Sequence, residues 1–237
     1  MKKGSDPFFT VLAHRGARGH APENTLAAFD KALALGAKWI ELDVQLHDGQ
    51  IWVFHDQRLE RCTNGKGWLV DHDAAALRAL DAGGGQRIPV LREVLEHLRG
   101  RVALNIELKT GAGTAAAVAQ ALRAAFAAGW KPEQFLVSSF NLPELREFKR
   151  LVPDVALGVL LCGVPLDLAF AATTLGARVV SLDRDFAEPA LIEDAHARGM
   201  KVFVFTVNER EDIARFRAAG VDGVFTDFPE RAEASNS

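Results

Sequence analysis

Residues 38–56 read Lys-Trp-Ile-Glu-Leu-Asp-Val-Gln-Leu-His-Asp-Gly-Gln-Ile-Trp-Val-Phe-His-Asp. Apolar Ile40, Leu42 and Val44 alternate with acidic Glu41 and Asp43, and period-two alternation makes a strand. Both carboxylates then leave the same face of it. Side by side they repel each other and lose solvation. A cation between them removes both costs, and a donor set made only of oxygen suits Mg²⁺ or Ca²⁺. The same pattern also describes a strand with a solvated acidic face. Asp48-Gly49 marks a tight hairpin turn. Ile51–Phe54 runs back from it and ends on His55-Asp56, so the hairpin returns a histidine toward the acidic pair.

Upstream, Phe9–Ala13 reads as the first strand and runs into the polar loop His14-Arg15-Gly16-Ala17-Arg18-Gly19-His20. Pro22-Glu23-Asn24-Thr25 opens a helix with Asn24 or Thr25 as N-cap. Leu26, Phe29 and Leu33 form its apolar stripe, and Gly36 ends it. Downstream, residues 57–87 break the rhythm with Arg58, Arg61, Asn64, Lys66 and the Gly83-Gly84-Gly85 run. They read as an insertion over one end of the fold. A helix with stripe Leu91, Val94, Leu95 and Leu98 follows. Next comes a strand, Val102–Leu108, with Asn105, Glu107 and Lys109 on one face.

From there a unit recurs: helix, glycine, short apolar strand, polar end. The strands are Phe135–Ser139, Val155–Leu161, Arg178–Leu182, Val202–Val207 and Gly223–Thr226. Asn208 with Glu211 reads as a capping box for the last helix. Strands separated by helices of this length indicate parallel βαβ units. Eight parallel strands, with Ile51–Phe54 as a hairpin arm of the second, predict an α/β fold: a closed (β/α)₈ TIM barrel with a small insertion after the second strand. No glycine-rich phosphate fingerprint opens the first helix, which disfavours a dinucleotide fold. One domain over residues 8–230 is expected, with 57–87 covering the C-terminal face.

The chain has 237 residues, 49% hydrophobic and 25% charged, enough for one barrel of this kind. A net charge of -3 announces neither nucleic acid nor an anionic membrane as a partner. Cys62 and Cys162 lie far apart and show no metal or disulfide spacing, which fits free thiols in a reducing compartment. No apolar run reaches the length of a membrane span. Lys2 and Lys3 precede an apolar stretch, Phe8–Ala13, that is too short for a signal peptide. The expectation is a cytoplasmic protein with a small-molecule partner and no stable membrane association. Oligomeric state is left open, and Met1–Pro7 carries no argument.

In a barrel the active site lies at the C-terminal ends of the strands. Those ends carry His14-Arg15, Glu41 and Asp43, the hairpin's His55, and Glu107 with Lys109. Further round are Ser139, Asp183, Thr206-Val207-Asn208 and Thr226-Asp227. Carboxylates hold a hard cation, and arginine and lysine fit a phosphate. Two histidines can supply a general acid and a general base near neutral pH. The set reads as metal-assisted cleavage of a phosphate ester. Each member has a plainer reading: a strand-end histidine can be structural, and Glu107 with Lys109 can be a same-face ion pair. His20, His47, His72, His97 and His196 are read as surface or packing residues.

The sequence resembles the glycerophosphodiester phosphodiesterase family. The matching pieces, in the family's order, are His14-Arg-Gly, Pro22-Glu-Asn-Thr25, Gly36-Ala, Ile40-Glu-Leu-Asp-Val44, Asp48-Gly49, His55-Asp56, Ile88-Pro-Val-Leu91, Ile106-Glu-Leu-Lys109, Ser138-Ser-Phe140, Thr206-Val-Asn208 and Thr226-Asp227. The resemblance implies one divalent metal ion, Mg²⁺ or Ca²⁺, on Glu41, Asp43 and Glu107. It implies acid/base work by His14 and His55, with His55 as base, and phosphate contacts from Arg15 and Lys109. Glu23, Asn24 and Phe205 are expected to bind substrate as well. The implied reaction is hydrolysis of a glycerophosphodiester to glycerol 3-phosphate and an alcohol, with the neighbouring glycerol hydroxyl attacking first to give a cyclic phosphate. Leu46-His47, Cys62 and Phe203 or Phe205 depart from the family's usual residues, and these bear on headgroup choice. Trp68, an aromatic on a polar insertion, is expected to wall the pocket. A phospholipase acting on intact lipid and a non-catalytic barrel are the alternatives.

Overall fold

The computed structural model describes residues 9–111 and 113–232. Phe8, expected as the first residue of the domain, and Met1–Pro7 lie outside the described residues.

The parallel strands are β1 (Thr10–Ala13), β2 (Trp39–His47), β4 (Ala103–Leu108), β5 (Phe135–Ser139), β6 (Ala156–Leu161), β7 (Val179–Asp183), β8 (Lys201–Phe205) and β9 (Gly223–Thr226). Each pairs in parallel with its neighbours, and β1 pairs with both β2 and β9, so the ring closes. The short β3 (Gln50–Val53) lies antiparallel on β2. Asp48 and Gly49 both take positive φ, 46° and 68°, the backbone that a two-residue hairpin turn requires.

Helices connect the strands: α1 (Leu26–Ala34), α2 (Ala74–Ala79), α3 (Leu91–Leu98), α4 (Thr114–Ala127), α5 (Leu142–Leu151), α6 (Phe170–Thr174), α7 (Pro189–Ala197) and α8 (Arg210–Ala218). Thr25 is the N-cap of α1, its hydroxyl accepting from Ala28 N. All four stripe residues of α3 are buried. The alternation in β2 resolves as follows. Ile40, Leu42 and Val44 face outward into the core between sheet and helices. Trp39 packs inside the ring with Leu12, Leu136, Val179, Phe203 and Phe225. Glu41 and Asp43 share that inward face and sit toward its C-terminal end.

The capping box read from Asn208 and Glu211 is not formed. The helix α8 begins at Arg210 with Glu209 at its cap and no side-chain bond there. Asn208 turns instead to the end of β9, where its amide is fully used: Nδ2 donates to Asp227 Oδ2 at 2.8 Å and Oδ1 accepts from Asp227 N at 2.9 Å.

The segment 57–87 contains a 3₁₀ turn, Leu69–Asp71, and the helix α2. Its Leu59, Leu69 and Leu77 form a small second core with Ile88 just beyond it, packed on Trp52 and Phe54 of the hairpin. No described helix is long and apolar enough to cross a membrane.

Candidate active site

Two tight backbone turns bring the first loop to the strand ends. Arg15 and Asn24 both adopt positive φ, 52° and 56°, which side chains other than glycine rarely take. The site itself holds them there. Arg15 N donates to Glu41 Oε2 at 2.8 Å, and Asn24 N donates to Arg15 O at 3.0 Å. Asn24 Nδ2 donates to Asp43 Oδ2 at 2.9 Å, and its Oδ1 accepts from Asp43 N at 3.3 Å. Gly16 completes the turn, for a Cβ there would come within 2.7 Å of the Ala28 backbone.

Glu41, Asp43 and Glu107 each offer one carboxylate oxygen within 4.8 Å of the others. The β2–β4 register sets Asp43 directly opposite Glu107, which is why the three converge. Two cations flank them. Arg15 Nε lies 3.2 Å from Asp43 Oδ2, and Lys109 Nζ lies 2.8 Å from Glu107 Oε1 and 3.8 Å from Asp43 Oδ1.

Each histidine has an aspartate on Nδ1. His14 Nδ1 lies 2.7 Å from Asp227 Oδ1, and Arg18 and Asn208 also bond that carboxylate. His55 Nδ1 bonds Asp56 Oδ1, and His55 Nε2 lies 3.1 Å from Lys109 Nζ. With Nδ1–H donated to the carboxylate, Nε2 of His14 is left open, while the Nε2 lone pair of His55 accepts from Lys109.

A cavity of about 150 Å³ opens at these strand ends. His14, Arg15, Glu41, His55, Glu107 and Lys109 line one side, and Phe140, Leu160, Phe205, Thr206 and Phe225 the other. Glu23 and Asn24 stand behind the wall. Glu23 accepts from Arg15 Nη1 at 2.6 Å and from Arg61. Asn24 is spent on Asp43. Trp68 does not line the cavity; it stacks with Arg58.

The electrostatics follow from burial. Burial first, then the charges of Asp43 and Glu107, push the Glu41 carboxyl well above its ordinary value. The same burial, with Asp43, pushes Glu107 up to about 7. Burial works against charge on Lys109, but Glu107 and Asp43 outweigh it and raise the ammonium. Burial lowers His14 despite the opposing bond from Asp227, and lowers His55 despite Asp43 and Asp56. Three carboxylates crowded together, two of them buried, are a donor set for a cation. Oxygen-only donors match a hard divalent ion, so the residues fit the metal.

Several members escape a reading of the sequence by residue type. Asn208 and Asp227 are legible as residues at the strand ends, but not as the pair that holds His14. Arg61 gives no such signal. The remaining five histidines bond fixed partners away from the cavity, among them Glu230 for His20, Asp30 for His97 and Asp222 for His196.

The glycerophosphoryl diester phosphodiesterase family matches residues 14–231 of this chain. A glycerophosphodiester phosphodiesterase from Caldanaerobacter subterraneus is 39% identical, over 93% of this chain and 94% of the relative. One from Bacillus altitudinis is 36% identical, over 94% and 96%. Among solved structures, an Oleispira antarctica phosphodiesterase in complex with the product sn-glycerol 3-phosphate superposes with a TM-score of 0.87 at 33% identity, over 94% of each chain.

Proposed function

The chain belongs to the glycerophosphoryl diester phosphodiesterase family and hydrolyses glycerophosphodiesters to glycerol 3-phosphate and an alcohol; on that premise we propose that His14 and His55 divide the proton transfers while Arg15 and Lys109 hold the phosphate. The observation that carries this assignment is the meeting of both imidazoles in one small cavity, each with Nδ1 tied to an aspartate. Glu41, Asp43 and Glu107 would hold one divalent cation, Mg²⁺ or Ca²⁺, through oxygen. When bound, that cation supplies charge neutralisation and Lewis acidity at the phosphoryl oxygens.

His55 acts as the base. Burial first, with the cations Arg15 and Lys109, disfavours the imidazolium, so the ring meets the substrate unprotonated at Nε2. His14 acts as the acid, and the anionic phosphodiester seated beside it favours its protonated form. The attacking oxygen is the glycerol hydroxyl next to the ester. His55 Nε2 takes its proton as the oxygen–phosphorus bond forms, and His14 Nε2 gives one to the departing alkoxide. Water opens the resulting cyclic phosphate with the two histidines exchanging roles. Glu23 orients Arg15, and Asn24 orients Asp43. Phe205, with Phe140 and Phe225, bears on the carbon skeleton of the substrate.

The segment 57–87 is read as an insertion on the C-terminal face of a single domain. The free thiols Cys62 and Cys162 support a reducing cytoplasmic setting. The test is release of glycerol 3-phosphate from several glycerophosphodiesters. EDTA should abolish it, and Mg²⁺ or Ca²⁺ should restore it. Full activity of a Glu41→Gln, Asp43→Asn double variant in EDTA would sink the metal assignment.

A further inference from the structure

The insertion sends one side chain into the back of the site. Arg61 Nη1 and Nη2 donate to the two oxygens of Glu23, both at 2.8 Å. Arg61 Nε donates to Asp56 Oδ2 at 2.6 Å, and Nη2 to Asp56 Oδ1 at 2.9 Å. One planar guanidinium therefore forks onto two carboxylates. Glu23 is the partner of Arg15, and Asp56 is the partner of His55 Nδ1. Arg61 itself lines no part of the catalytic cavity.

We propose that Arg61 is a positioning residue that ties the insertion to both the phosphate arm and the base of the site, by clamping Glu23 and Asp56 together. This rests on the roles given above to Arg15 and His55. Two bidentate contacts leave each carboxylate one orientation, and those orientations aim Arg15 and the His55 ring. A half-exposed arginine on a surface segment would otherwise have little reason to satisfy two carboxylates of different elements.

The clamp also sets charge. His55 is faced by Asp56 on its own loop, Lys109 from the end of β4, Asp43 from β2 and Arg15 from the first loop. Asp56 is held down first by its hydrogen bond from Arg61. With Arg61 removed, the Asp56 charge is uncompensated and favours the His55 imidazolium. A base must be unprotonated, so the acid limb of kcat/KM should move to higher pH. Lysine keeps the charge but cannot reproduce two forks.

The experiment uses the metal-saturated full chain with glycerophosphocholine as substrate. Arg61→Ala should lower kcat/KM by about 10–100-fold, the scale of misaligned catalytic groups, and shift the acid limb upward by about half a pH unit or more. Arg61→Lys should retain the wild-type limb and recover only part of the rate. In an Asp56→Asn background, replacing Arg61 should no longer move the limb. An unchanged limb in Arg61→Ala, or Arg61→Lys equal to wild type in rate, overturns the proposal. Should Arg61→Ala fail to fold, Arg61→Lys decides the matter by its rate: a partial loss supports the clamp, and a wild-type rate overturns it. His55→Ala separates the two layers. If it stays active, the role of His55 fails first; if it is inactive while Arg61 variants behave as wild type, only the clamp fails.

Discussion

The two sides of the catalytic cavity come from different parts of the chain and do different chemistry. Residues 14–109 supply every charged or titratable side chain that lines it. The later strands supply Phe140, Leu160, Phe205, Thr206 and Phe225. Phe205 stands at the centre of that second wall, edge-on to Phe140 at 5.9 Å and to Phe225 at 6.1 Å. A glycerophosphodiester has the same division, an anionic phosphorus centre between two carbon skeletons. On the roles proposed above, bond making would belong to the first half of the barrel, and contact with carbon to the second. The two halves meet where Lys109 Nζ lies 5.8 Å over the Phe140 ring, and where Asp227, just past β9, bonds His14.

This division can be broken by substitution on each side. The largest effect should come from the histidines: His14→Ala and His55→Ala should each lower kcat about 10²–10⁴-fold with substrate affinity largely kept. Wild-type kcat in either variant would remove that ring from the chemistry. Arg15→Ala should cost about 10²–10³-fold in kcat/KM; a loss below about threefold would leave Arg15 a structural partner of Glu23. On the apolar side the effect should be smaller and of another kind. Phe205→Ala gives up about 1–2 kcal/mol of apolar contact, or about 5–30-fold in KM, with kcat little changed. A kcat collapse there would erase the distinction between the two walls.

The smallest effect concerns stability. In the cation-free protein Glu107 has its carboxyl pushed up to about 7 from an ordinary 4.5. A raised carboxyl favours the folded state while it is protonated. Its contribution is therefore present below about pH 4.5 and lost as pH rises through 7. A divalent cation takes the place of that proton. The rise in thermal midpoint on replacing EDTA with Mg²⁺ or Ca²⁺ should be larger at pH 8 than at pH 5. Equal increments at both would show that the triad does not couple proton and metal.

The strand alternation in Ile40–Val44, the Asp48-Gly49 turn and the repeated helix–glycine–strand unit were local signals, legible because period and turn chemistry depend only on near neighbours. They determined the closed barrel. Since a barrel's site lies at its strand ends, they also determined that His14, Glu41, Asp43, His55, Glu107 and Lys109 share a mouth. Tertiary structure alone decided the partners. Glu23 and Asn24, adjacent to the first loop, read as substrate ligands, yet their polar atoms are consumed by Arg15, Arg61 and Asp43. Asn208 and Glu211 matched a capping box, but Asn208 pairs with Asp227, nineteen positions on. Arg61 lies 38 positions from Glu23, inside a segment whose composition suggests only a loop. A side chain's hydrogen-bond capacity is fixed by its type, but which distant group takes it up depends on loop paths through space. No period in the sequence encodes that choice.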